Sequence, residues 1–139
     1  MTDLITRLSK LDAPDREVDA ELEAVSLGGR VYLNDPEGKE VIIERPIDGF
    51  WIRGIYPYRK IARYTGSTDA AIALAERVLP GWKRQLLEDF NGKWIARVCS
   101  PRRELFSTDY LRETELGGSS NPAIALCIAL LRAKEANHV

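Results

Sequence analysis

Asn121-Pro122-Ala123-Ile124-Ala125-Leu126-Cys127-Ile128-Ala129-Leu130-Leu131-Arg132-Ala133 decides the fold. Asn121 is a good helix N-cap and Pro122 suits the first turn. From Ala123 onward the segment is apolar nearly all round. A helix of that kind belongs in the centre of a core. Ile124, Leu126, Ile128 and Leu131 are its expected anchors, and the helix is expected to run from Pro122 to about Ala136.

Working outward, a second helix start of similar design stands at Tyr64-Thr65-Gly66-Ser67-Thr68-Asp69-Ala70-Ala71. It opens a helix from Ser67 to Leu79, which Pro80-Gly81 ends. Trp82–Glu88 and Lys93–Cys99 flank Asp89-Phe90-Asn91-Gly92, and Asn-Gly is a tight-turn signal, so a hairpin is expected there. Residues 104–118 read as a short strand or turn and then a Gly-rich loop.

Toward the N-terminus, Leu4, Ile5, Leu8 and Leu11 fall on one face of a short helix over residues 2–10. Pro14 suits the first turn of a second helix reaching about Leu27, with Gly28-Gly29 as its stop. Val18, Leu22 and Val25 form its apolar stripe. Asp15, Glu17, Asp19, Glu21 and Glu23 read as its solvated face rather than as an acid/base pair. Arg30–Leu33 and Glu40–Glu44 look like strands joined by a turn, and Phe50–Tyr58 like a further extended run. Pro46 and Pro57 argue against long regular central strands, so an edge hairpin or irregular loop is expected. The sum is an α+β fold, an antiparallel β-sheet packed by helices with the long apolar C-terminal helix in the core. It forms one domain over residues 1–139.

Composition narrows the chemistry. The chain has 139 residues, of which 45% are hydrophobic, enough for a sizeable core. Lys and Arg total 20 against 21 Asp and Glu, giving a net charge of −1. A duplex-coating protein carries a basic excess, so no duplex nucleic-acid partner is expected. The one histidine, His138, adjoins the C-terminus, which removes the common Ser-His-Asp and Cys-His arrangements. Cys99 and Cys127 lack metal-ligand spacing. Cys127 reads as a small core hydrophobe, and a disulfide to Cys99 is the weaker alternative. No phosphate-binding Gly motif occurs. The expectation is no enzyme, no metal and no cofactor. Met1-Thr2-Asp3-Leu4 lacks the form of a signal peptide, and no segment has the roughly 20 apolar residues of a membrane span. A soluble cytoplasmic protein with no membrane partner is expected.

Two constellations remain for binding. A helix start carries unpaired N–H groups and partial positive charge, so it can cap itself or hold an anion. Gly117-Gly118-Ser119-Ser120-Asn121 contains no acid and is the better anion candidate; Asp69 counts against a bare phosphate at the other start. Ser119, Ser120 and Asn121, with Arg102 and Arg103 from the hairpin end, are the expected ligand-binding set, joined by Tyr64, Thr65 and Ser67. Simple capping is the competing explanation. The other constellation mixes Trp51, Tyr56, Tyr58, Arg59 and Arg63, able to stack on and pair with a nucleotide. Its competing explanation is that tryptophans fill the sheet–helix interface. The apolar segment near 50–58 is hard to hide in a small domain, so a homo-oligomer is expected.

The Tyr64–Ala71 helix start, Leu79-Pro80-Gly81-Trp82, the 121–133 segment, and Leu4 to Leu11 followed by Pro14-Asp15-Arg16-Glu17-Val18-Asp19-Ala20 together resemble the phage ABA sandwich domain family. The resemblance covers roughly residues 2–27 and 60–134, while 29–59 is longer and more elaborate. It implies a small phage or prophage protein with an α/β sandwich, acting in the host cytoplasm, and supplies no catalytic set. A looser architectural likeness is to Thoeris anti-defence sponge proteins, which assemble into oligomers and sequester nucleotide-like immune signals. That likeness implies a non-enzymatic protein sequestering a nucleotide-like anionic ligand. The alternative is a protein-interaction module that inhibits a host factor or serves as a phage accessory protein, with no small-molecule ligand.

Overall fold

A computed structural model describes residues 2–101 and 115–136. Helix α1 spans Thr2–Ser9 and seats Leu4 and Leu8 in the core. Helix α2 spans Arg16–Ser26. Its N-cap is Asp15, whose carboxylate accepts the N–H groups of Glu17 and Val18 at 2.8 and 3.1 Å. Pro14 therefore lies outside the helix rather than in its first turn, because a side-chain acceptor one residue later satisfies the orphan donors. The helix ends where expected. Gly28 adopts φ +70°, and a Cβ on Gly29 would lie 2.1 Å from the Glu44 carbonyl oxygen, so only glycine lets β2 approach there.

Strands β1 (Arg30–Asp35), β2 (Glu40–Ile47) and β3 (Phe50–Pro57) form an antiparallel sheet in the order β1-β2-β3. Asp35 closes the first turn by accepting the Gly38 N–H at 3.0 Å. The segment is neither an irregular loop nor a two-stranded edge hairpin. Eight-residue β2 is the central strand and tolerates Pro46 because the proline lies past the last β1 pair, Arg30 with Glu44. Only β3 flanks it there, and Pro57 ends β3.

A 3-10 turn at Tyr58–Lys60 leads to helix α3, Thr68–Val78, capped by Ser67. Strands β4 (Lys83–Glu88) and β5 (Trp94–Cys99) make the expected hairpin, with Gly92 at φ +76° and Asp89 accepting the Asn91 and Lys93 N–H groups. Strand β6, Glu115–Ser119, pairs antiparallel with β5. Gly117 and Gly118 thus lie in a strand opposite Ala96 and Ile95, not in a loop; pairing to β5 overrides their weak strand propensity. Among the described residues there are two three-stranded sheets rather than one.

Helix α4, Pro122–Ala136, is the apolar core helix, with Ala123 through Leu131 all buried. It packs on β5, β6, α3 and α1, while α2 packs on β1, β2, α1 and α3. The α+β class holds, and the helices join the two sheets. Both cysteines are buried and free, so no disulfide links them. No described helix is long and apolar enough to cross a membrane.

Candidate functional site

The two helix starts meet in space. Asn121 accepts the N–H groups of Ala123 and Ile124 on Oδ1, at 2.9 and 3.3 Å, and donates from Nδ2 to the Thr65 carbonyl at 3.0 Å. Its own N–H donates to Ser119 Oγ at 3.1 Å. Ser67 Oγ accepts the Ala70 N–H at 3.2 Å. Thr65, fully buried, donates its N–H and hydroxyl to Asp19 Oδ1, both at 2.8 Å, and its hydroxyl oxygen accepts the Asp15 N–H at 2.9 Å. The nominated polar groups of Thr65, Ser67, Ser119 and Asn121 are thus engaged inside the fold. Of the nominated side chains described, only Ser120 is exposed. Arg102, Arg103 and His138 lie outside the described residues.

Asp19 organises this cluster and is not on a solvated face. It is 1% exposed, and its second oxygen accepts Arg16 at 2.8 Å. Arg16 also donates to the carbonyls of Tyr58, Ile61 and Ala62. One buried ion pair therefore ties α2 to the chain before α3. An isolated buried carboxylate would be very costly, but this one accepts three hydrogen bonds. The signal in the sequence was the i,i+3 spacing of Arg16 and Asp19 beside Val18 and Leu22.

Beside the cluster, Tyr64 donates to Glu23 at 2.6 Å and accepts from Arg77. Burial, then the Glu23 bond, pushes its phenol up to about 12. Burial likewise pushes the Cys127 thiol up to about 12, which keeps it a protonated core group and not a nucleophile. Among the described residues no cluster of His, Cys, Asp and Glu could hold a metal.

The open surface lies elsewhere, on the β1-β2-β3 sheet. Val41 and Ile43 of β2 point into the core and are fully buried. Ile42 and Glu44 alternate to the other face, with Leu33 and Ile55 as cross-strand partners of Ile42. Arg30 and Arg53 flank Glu44 and donate to it at 2.9 and 2.8 Å. Their bonds, Arg53 first, hold the Glu44 carboxyl below its usual range. Arg30 stacks over Trp51 at 4.2 Å and Arg53 over Tyr32 at 3.7 Å. The two arginines on this face thus share one carboxylate. The apolar groups of the face are not covered: Leu33 is 53% exposed, Trp51 52% and Ile55 66%. Phe50, paired with Ile47 at the hairpin tip on the opposite face, is 72% exposed. The interface-filling explanation holds for Trp82 and Trp94, which pack on the core, and fails for Trp51.

No family model matches the chain, and no curated protein or solved structure matches it.

Proposed function

We propose that this protein is a non-enzymatic interaction module that docks through its β1-β2-β3 sheet, and that the partner this surface fits is a second copy of the chain. The observation that carries the reading is β3. Phe50, Trp51, Ile52 and Ile55 are all exposed on one strand, and β3 pairs with β2 alone among the described strands. An exposed apolar edge strand is a template for strand pairing, and soluble proteins normally blunt or cover it.

Area and charge favour self-association. The seven large apolar side chains exposed on this sheet, spread over its two faces and the β3 edge, present on the order of 700 Å² in total, against roughly 800 Å² per partner in a standard interface. Charge on the sheet is partly offset, since Glu44 pairs with both Arg30 and Arg53. An antiparallel β3–β3 pairing centred on Gly54 sets Arg53 opposite Ile55 and keeps like charges from facing directly. The nucleotide-sequestering alternative draws less support, because Tyr64, Thr65, Ser67 and Asn121 use their polar atoms inside the fold.

Light scattering at low micromolar concentration tests the reading. The expected result is twice the chain mass, reverting in Ile55→Lys to a monomer that melts like the wild type diluted below its association range. A monomeric wild type across the concentration range rejects it.

A further inference from the structure

A second, separate feature is a cleft of about 600 Å³ between the start of α2, the β1–β2 turn and the segment after β3. Arg16, Lys39, Arg59 and Arg63 line it, against Asp15 and Glu17. The chain as a whole carries −1, so this cationic excess is local. Asp15 is occupied in capping α2, which leaves Glu17 as the one lining acid not used in a cap.

The cations are of two kinds. Arg16 is a fixed part of the frame, bound to Asp19 and to the carbonyls of Tyr58, Ile61 and Ala62. Lys39, Arg59 and Arg63 are exposed, and their side chains have no acidic partner among the described residues. Their backbone is nonetheless held. The Tyr58 N–H donates to the Lys39 carbonyl at 2.8 Å, which brings Lys39 beside Arg59 from twenty positions earlier in the chain. Tyr58 also hydrogen-bonds Asn34 of β1. Arg16 grips residues 58, 61 and 62, and so fixes the stretch that carries Arg59 and Arg63. Lys39 itself sits at φ +55°, an unusual backbone state for a non-glycine residue, and these contacts keep it there.

We infer that this cleft binds a phosphate-bearing small molecule carrying two or more negative charges. Three cations with no acidic partner among the described residues, on a braced backbone, match a diphosphate better than a single carboxylate. Arg supplies the planar fork that phosphate oxygens accept, and Lys supplies a point charge. The volume falls in the range of small-molecule sites. The site is distinct from the helix starts, whose donors are spent, and from the β3 surface. A free polyphosphate and a nucleoside diphosphate share the same recognised chemistry.

Calorimetric titration of the full chain at low salt decides the matter, with inorganic phosphate, pyrophosphate and ADP as probes. Pyrophosphate is expected to bind more tightly than phosphate. Arg59→Ala and Arg63→Ala should each weaken it about tenfold or more without moving the melting temperature. Glu17→Gln should tighten it, because it removes one of the two opposing charges. ADP binding more tightly than pyrophosphate assigns the cleft to a nucleotide; equal affinity assigns it to the polyphosphate group alone. No binding at millimolar pyrophosphate, or binding that survives both arginine substitutions, overturns the inference.

Discussion

The two sheets are built alike and covered differently. Each has three antiparallel strands, and each contains a hairpin with an Asp-closed turn. The β4-β5-β6 sheet packs on α4, which is apolar nearly all round from Ala123 to Leu131, and it buries Ala96, Val98 and Cys99. The β1-β2-β3 sheet packs on α2, whose apolar residues form only one stripe. That stripe covers Val41 and Ile43 and stops short of β3. Strand composition therefore did not set burial here. The width of the apolar helix face behind each sheet set it.

The largest expected effect concerns α2, the cover of the first sheet. Asp19→Ala would strand the Thr65 N–H and hydroxyl and leave Arg16 without its carboxylate. Breaking a buried pair in this way costs about 3–5 kcal/mol. Hydrogen exchange should then rise in β1 and β2 before β4 and β5. A uniform rise would show that the two sheets do not differ in how they are anchored.

The second test compares one side chain from each setting. Leu126→Ala in α4 is expected to cost about 2–5 kcal/mol of unfolding free energy. Ile55→Ala, with its side chain 66% exposed, should change the stability of the monomer by no more than about 0.5 kcal/mol. Denaturant melts at concentrations below any association measure both. A core-sized loss at Ile55 would mean that the first sheet is covered within the chain.

A smaller loss, about 1 kcal/mol, is expected for Asn121→Ala, from the lost cap on α4. Because the same amide also bonds the Thr65 carbonyl, double-mutant cycles with Thr65→Val should be non-additive. Additive losses would separate the helix start from the buried cluster.

The pH limbs should be the mildest contrast. Tyr64 in the helix layer is raised from 10.0 to about 12 in the folded protein. Its contribution is fully present below pH 10 and lost as the pH climbs through about 12. Glu44 on the first sheet is lowered from 4.5, so its contribution is present above pH 4.5 and lost as the pH falls through the folded value. Melting temperature against pH should therefore lose part of its alkaline decline in Tyr64→Phe and part of its acid decline in Glu44→Gln. Unchanged limbs in both variants would remove these groups from the account.

Much of the fold was readable in advance. The apolar run 123–131, the caps at Ser67 and Asn121, the stop at Gly28-Gly29 and the Asn91-Gly92 hairpin each act over a few residues, so local pattern suffices. The candidate sites were read less well. Ser67 and Asn121 were recognisable as polar helix starts, but a hydroxyl or amide reads the same whether it binds a ligand or caps a helix. Asp19 was masked by its acidic neighbours on α2, since periodicity places a carboxylate on a face without saying what packs there.

By itself the sequence determined the helices, the β4–β5 hairpin and which helix takes the centre, because capping, turn chemistry and hydrophobic period are local. The tertiary structure alone decided three things. It turned Gly117-Gly118 into a strand by pairing them with β5, sealed Thr65 and Asn121 against each other and Asp19, and left β3 uncovered while bringing Lys39 beside Arg59. Each depends on partners dozens of positions or a whole sheet away, and whether a polar or apolar group is satisfied depends on what meets it in space.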